Sequence, residues 1–178
     1  TRLLEDAAAR ARLPLYQMIP AATAGELTPA SGQPVAASLR TWTVSHGDAG
    51  SRRYSALSQI NRDTVKRLTA AWTYHSGDGM GNIQCNPIVV DGVMYGPTPG
   101  RAIVALDATT GREQWRFQVE KPERVGLEDA PARRGLVYWP GNSRHGARVV
   151  FASGRWLYAL DPKSGRPMAD FGSGGRTE

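Results

Sequence analysis

The sequence predicts an all-β chain made of repeated four-stranded antiparallel units, the blades of a propeller. Three observations carry this. The stretch Ala105-Leu106-Asp107-Ala108-Thr109-Thr110-Gly111-Arg112-Glu113-Gln114-Trp115 reads as a strand, a tight turn and a second strand that opens on a tryptophan. A looser copy, Ala159-Leu160-Asp161-Pro162-Lys163-Ser164-Gly165-Arg166, follows at an offset of 54 residues, and Phe171 answers Phe117 at the same offset. Self-similarity at a fixed period of this size marks a repeat architecture. Finally, Asp91-Gly92 sits between Ile88-Val89-Val90 and Val93-Met94-Tyr95, a two-residue hairpin whose turn positions both need φ > 0.

Taken in order, residues 1–40 precede the repeats. Leu4, Ala7, Ala8 and Ala11 fall at helical spacing, with Glu5 and Asp6 early and Arg10 and Arg12 late, as the helix dipole favours, so a short helix is expected over residues 2–12. Pro14, Pro20, Gly25, Pro29, Gly32 and Pro34 then interrupt any regular element, which predicts an extended arm. Residues 41–178 form the propeller part. Asn61 is expected to cap a short helix through Val65 and Leu68, and Ala71-Trp72-Thr73-Tyr74-His75 reads as a strand.

The first blade is expected to use Ile88–Val90, Val93–Tyr95, Ala102–Leu106 and Gln114–Gln118. The second repeats the order with Gly135–Trp139, Arg148–Ala152, Trp156–Leu160 and Pro167–Phe171, its hairpin closed by Ser153-Gly154. Between them, Glu120 to Arg133 is a long polar excursion of the kind that carries binding groups on a repeat scaffold. A blade buries its faces only against neighbouring blades, and closed propellers use roughly 4–8 of them. Two blades do not make a ring, so the chain is expected to be a piece of a longer polypeptide.

Composition narrows the partners. The hydrophobic fraction is 40% and the charged fraction 21%, typical of a soluble globular chain. The formal net charge is +6, and Lys66, Lys121 and Lys163 are the only lysines among 22 cations, leaving 19 arginines. These are scattered and form no basic stripe, so nucleic acid is not an expected partner. Cys85 stands alone, which excludes an intrachain disulfide and a cysteine-rich metal site. No run of about 18 apolar residues exists to span a membrane.

The ordered segments His46-Gly47-Asp48, Arg53-Tyr54-Ser55, Gln59-Ile60-Asn61, Ala71-Trp72-Thr73-Tyr74, Pro87 to Tyr95, the 105–115 run, Arg134-Gly135-Leu136-Val137-Tyr138-Trp139 and Phe171-Gly172 together resemble the N-terminal part of the quinoprotein dehydrogenases that bind pyrroloquinoline quinone (PQQ). The glucose dehydrogenase-like branch is the nearest. The resemblance implies part of an eight-bladed propeller, with the Ala-x-Asp-x-x-Thr-Gly-x-x-x-Trp run as that family's tryptophan docking motif. Gly111 would serve the turn, Asp107 and Thr110 would bond its amides, and Trp115 would lie between blades and bond a backbone carbonyl. Ala169 stands at Trp115's place in the second copy.

Two cofactor residues follow from the same resemblance. Arg134 aligns with an arginine that contacts the quinone, and a guanidinium suits the cofactor's carboxylates and carbonyl oxygens. Gln84 falls where many members carry a glutamate that bonds the cofactor. The adjacent cysteines of alcohol-oxidising members are absent from Leu127-Glu128-Asp129-Ala130-Pro131, which favours the sugar-oxidising branch. The resemblance further implies a periplasmic oxidoreductase in which a base takes the hydroxyl proton of an alcohol or sugar and the hydride passes to PQQ, polarised by calcium. A quinone or cytochrome would accept the electrons. The catalytic aspartate and calcium ligands would lie in later blades, so the isolated chain is expected to be inactive.

The alternative is a non-catalytic propeller, a scaffold of the outer-membrane assembly type, which needs the docking repeats but not Arg134. Other constellations fall away. His46, His75 and His145 are dispersed, and no P-loop, Rossmann fingerprint or serine elbow is present. Gly77-Asp78-Gly79-Met80-Gly81 precedes a strand and not a helix, and Cys85 reads as a small strand residue.

Overall fold

The computed structural model describes residues 41–47, 51, 53, 55, 57, 59–119 and 135–178, all within the unit Val35–Glu178. The predicted helix over 2–12, the arm to residue 40 and the excursion from 120 to 133 lie outside the described residues.

Two four-stranded antiparallel sheets form, each with its strands in sequence order. The first contains β1 (Ile88–Val90), β2 (Val93–Pro97), β3 (Ala102–Asp107) and β4 (Glu113–Gln118); the second contains β5 (Val137–Trp139), β6 (Arg148–Ser153), β7 (Trp156–Leu160) and β8 (Arg176–Thr177). Asp91 and Gly92 take φ of 49° and 78°, as their hairpin requires, and Val90 pairs with Val93 across it. In the second sheet the matching loop is shifted by one residue: Ser153 pairs with Trp156, leaving Gly154 and Arg155 in the turn. A bulge at Ala105/Leu106 sets Trp115 opposite Ala105.

Side-chain alternation decides what each face meets. Trp115 and Phe117 share one face of β4 and reach the second sheet, where the Phe117 ring lies 6.3 Å from Phe151 and 6.1 Å from Tyr158. Phe151 stacks on Tyr158 at 5.0 Å, and Tyr95 tilts over Trp115 at 5.8 Å. Ile88, Ile103, Leu136, Val149 and Leu160, each at most 1% exposed, complete one core across the two sheets. Trp115 is 9% exposed and its indole N–H donates to the Pro162 carbonyl at 2.8 Å. The inter-blade contact expected from the sequence is therefore present, on the backbone of the next turn.

Two strand expectations are corrected. Residues 71–75 do not form a strand. They keep the pleat, since Trp72, Tyr74, Ser76 and Asp78 turn inward and the residues between them outward, but their backbone pairs with no described residue. Alternation sets the pleat, and a ladder needs a neighbouring edge. The fourth strand of the second sheet is not Pro167–Phe171. Pro167 makes one bridge to Leu160, the chain then detours, and β8 pairs Arg176 with Tyr158 and Thr177 with Leu157.

Near residue 61 the predicted helix is a single 3-10 turn, Val65–Arg67. Asn61 Oδ1 accepts from the amides of Asp63 at 2.9 Å and Thr64 at 3.1 Å, so the residue expected as a cap makes an Asx turn ahead of it.

Candidate functional site

The first strands of the two sheets, β1 and β5, begin beside one another, and a tight turn at residues 42–47 joins them. Thr43 N–H donates to Gly47 O at 3.1 Å and Gly47 N–H to Val44 O at 2.9 Å, closing the turn. Trp42 exchanges two backbone hydrogen bonds with Val89 of β1, at 2.7 and 2.9 Å, while Tyr138 N–H of β5 donates to Thr43 O at 2.7 Å. Val44 bridges Val137. Three successive residues thus tie two separate sheets.

Gln84 lies on the segment entering β1, exposed, with no hydrogen bond among the described residues. Two residues on, the Asn86 amide Nδ2 donates to Ser45 O at 3.0 Å. Cys85 between them is half-buried rather than part of a strand; burial pushes its thiol pKa up, and its S–H faces the Asn86 carbonyl at 3.3 Å. Arg134 lies outside the described residues. Its neighbour Gly135 heads the approach to β5 and abuts the same turn, because a Cβ there would stand 2.5 Å from Ser45 Oγ. The structure therefore brings the chain carrying Gln84 and the residue after Arg134 onto one turn. The exposed Gln84 carboxamide carries N–H donors of the kind that the carboxylates and carbonyl oxygens of a quinone accept. The turn's role was missed by sequence reasoning, which took His46-Gly47-Asp48 only as a family segment.

Other polar clusters bond mainly within themselves, with Asp78 Oδ1 buried and left without a hydrogen-bond partner among the described residues. On the far face of β4 the Arg116 guanidinium donates to Asp78 Oδ2 at 3.0 Å, Glu113 Oε2 at 2.9 Å, Tyr74 Oη at 2.7 Å and Ser76 O at 3.0 Å. Tyr74 also bonds Glu113, and Thr98 bonds Asp78. Burial, then the Glu113 contacts, push the Tyr74 pKa up to about 12. The Arg116 hydrogen bond holds the Glu113 carboxyl below its ordinary range; at Asp78 burial opposes ionisation but is outweighed by bonds from Thr98, Ser76 and Gly100. This network pins residues 74–78 to the first sheet. A mainly apolar cavity of about 350 Å³ lies beside it, between Tyr74, Ile83 and Cys85 and the Met94, Val104 and Leu106 face of β2 and β3.

In the second sheet, Arg148 is buried beneath the rings of Trp139 (5.0 Å) and Phe171 (5.9 Å) and donates to Asp170 at 3.0 Å. Asp170 also contacts His145 Nδ1 at 2.8 Å, and these two partners, His145 foremost, lower its carboxyl pKa. His46 contacts Arg53 at 3.0 Å, so the histidines serve separate places. Among the described residues no three His, Cys, Asp or Glu side chains gather as metal ligands.

Comparison with known proteins gives the family. Residues 42–178 match the PQQ-binding glucose/ethanol/alcohol dehydrogenase family, in its β-propeller domain. The dehydrogenase subunit of a quinone alcohol dehydrogenase from Gluconobacter oxydans is 38% identical over 120 residues, covering 65% of this chain and 15% of that protein. Quinoprotein glucose dehydrogenase A of Acinetobacter calcoaceticus is 31% identical over 149 residues, covering 70% and 18% respectively. The crystal structure of quinohemoprotein alcohol dehydrogenase from Comamonas testosteroni superposes with a TM-score of 0.61 at 28% identity, over 91% of this chain and 22% of that one. This chain thus spans 15–18% of the length of those two curated relatives. A dehydrogenase family matched over the whole described propeller part leaves the scaffold alternative without support. The chain belongs to the PQQ-dependent glucose/ethanol/alcohol dehydrogenase β-propeller family.

Proposed function

We propose that these residues form the opening blades of a PQQ-dependent dehydrogenase that oxidises an alcohol or a sugar, and that they supply the first part of the quinone's wall. The observation that carries the reading is the meeting of the β1 and β5 approaches on the turn at 42–47, which gathers the chain bearing Gln84 and the chain following Arg134. Arg134 would hold a carboxylate or carbonyl oxygen of the quinone through charge-assisted donors, and Gln84 would add a neutral hydrogen bond without setting a carboxylate against it. When bound, the quinone supplies a two-electron acceptor for the substrate's hydride. Calcium, if it is the metal, would take its ligands from outside this chain, as would the base.

The substrate branch is drawn from two sides. The missing adjacent cysteines in 127–131 favour a sugar, whereas most of the similar proteins bear alcohol dehydrogenase names. A periplasmic setting and a quinone or cytochrome acceptor belong to the same reading. Its test is a quinone titration of the complete apo-protein, wild type against Arg134→Ala. Removal of a charged donor is expected to weaken binding by about 10- to 100-fold. Unchanged affinity would remove Arg134 from the site and overturn the reading.

A further inference from the structure

We propose that residues 71–76 and the cavity beside them dock a β-strand of the same polypeptide from outside residues 1–178. The strand pairs along 71–76 and fills the cavity with a large apolar side chain. This rests on the reading above only in taking the blades as part of a longer dehydrogenase. Residues 71–76 stand to the first sheet as β4 stands to the second. The Trp72 indole donates to Ala108 O at 3.2 Å, and the Trp115 indole to Pro162 O, at the repeat's 54-residue offset, at 2.8 Å. Two residues beyond each tryptophan a ring follows on the same face, Tyr74 in one case and Phe117 in the other. β4 holds this place as the fourth strand of a sheet. Residues 71–76 hold it with no strand beside them among the described residues.

The same correspondence explains the cavity. Where the two sheets meet, Phe117 packs on Phe151 and Tyr158, which are paired across β6 and β7. Their counterparts across β2 and β3 are Gly96 and Val104, with Val104 one 54-residue offset before Tyr158. Tyr74 therefore faces a glycine and a valine where Phe117 meets two rings, and the space left is the mainly apolar cavity of about 350 Å³ that Tyr74, Gly96 and Val104 line. The backbone is open on the same side. In β4 the Val119 N–H donates to Arg101 O, and by the two-residue period of a strand Trp115 and Phe117 turn that same edge towards β3. The matching amides of Trp72 and Tyr74 donate to no described residue. A strand satisfies the open edge and the apolar void together, whereas a small molecule in the void would leave the amides unpaired. The same polypeptide is the source, because this chain spans 15–18% of the length of its Gluconobacter and Acinetobacter relatives and a blade is complete only with four strands.

Amide hydrogen exchange and melting of the complete protein test this surface. The Trp72 and Tyr74 amides are expected to exchange at least about 100-fold more slowly than that of Thr73, which a strand paired on one edge leaves open. In residues 1–178 a Cβ on Gly96 meets nothing nearer than the Pro87 Cβ at 4.0 Å, and no left-handed φ is recorded there, so a side chain at 96 has room while the cavity is empty. With a partner side chain in place, Gly96→Leu overpacks the site and should lower the melting temperature by about 2–5 °C. Fast exchange at Trp72 and Tyr74 overturns the proposal. So does a melting temperature kept or raised in Gly96→Leu, which is the result of filling an empty void. Slow exchange that is lost on dilution, as a dimer passes to monomer, assigns the edge to a second copy and overturns the occupant. Should Gly96→Leu fail to fold, the exchange pattern of the wild type decides. Quinone binding is a separate measurement: a titration that supports the cofactor reading, alongside fast exchange at 72 and 74, leaves that reading standing without the docked strand.

Discussion

The turns at 107–111 and 161–165 are copies bond for bond, while the strands that follow them are not. Asp107 Oδ1 accepts from Thr109 N–H, Thr110 N–H and Thr110 Oγ1 at 3.0, 2.8 and 2.9 Å; Asp161 Oδ1 accepts from Lys163 N–H, Ser164 N–H and Ser164 Oγ at 2.9, 2.8 and 2.9 Å. Each turn also receives an indole from the preceding segment. Trp72 donates to Ala108 O at 3.2 Å and Trp115 to Pro162 O at 2.8 Å. The likeness ends at the fourth strand. Register places Arg176 at Arg116's position and Thr177 at Phe117's, an offset of 60, with Gly175 opposite Ala159 as Trp115 is opposite Ala105. The first sheet grips its neighbour with Trp115; the second has a glycine there. The turn is therefore the repeated unit, and the grip is a separate feature of the strand after it.

The largest expected effect separates those two features. Trp115→Ala should destabilise the protein by about 3–5 kcal/mol, as removal of a buried tryptophan does. Trp72→Ala, at a half-buried site with a longer bond, should cost about half as much. Urea denaturation of the complete protein measures both. Equal losses would mean that the two indole contacts are equivalent and that burial does not distinguish them.

A smaller effect tests the turns. Gly111 and Gly165 take φ of 73° and 70°, and a Cβ would meet Trp72 at 2.6 Å and Trp115 at 2.5 Å. Alanine at either position carries about 1–2 kcal/mol of left-handed strain and must also displace a ring. Gly165→Ala should be the worse, because the Trp115 ring is packed in the core and the Trp72 ring has solvent on one side. Pairing each variant with removal of its tryptophan should recover the steric part and leave the strain.

These features differ in how far the sequence discloses them. The turns, the Asp91-Gly92 hairpin and the order of the first seven strands are legible because each is written in contiguous residues. The fourth strand of the second sheet is not. Phe171 falls at Phe117's 54-residue offset and invites the alignment, yet it packs over Arg148 in a detour while Thr177 takes the strand position. An insertion between a turn and its strand leaves the local pattern intact and moves the register. Residues 71–75 carry a strand's alternation without a partner edge among the described residues, so the pattern is right and no ladder forms there. At the candidate site, Gln84 and Arg134 are proposed through family resemblance alone. The Ser45–Asn86 and Gly135 contacts join residues about 40 to 90 positions apart, and the Arg116 network spans similar distances. Only packing reveals such pairs.

The smallest effect returns to the shared turn and uses pH. At Asp107 the Thr110 amide and hydroxyl bonds lower the carboxyl pKa; at Asp161 burial opposes ionisation, but the Ser164 bonds outweigh it, and that carboxyl too is lowered. A group lowered on folding stabilises above its unfolded pKa, about 4 for aspartate, and that stability is lost as pH falls through the folded value. Asparagine keeps the accepting oxygen and cannot titrate. Asp107→Asn and Asp161→Asn should therefore cost little at pH 7 and flatten the fall in urea midpoint below about pH 4. The flattening should be no smaller at 107, where burial is not the leading influence. An acid fall that persists undiminished in the double variant would clear the turns and point to Asp78 and Glu113 around Arg116.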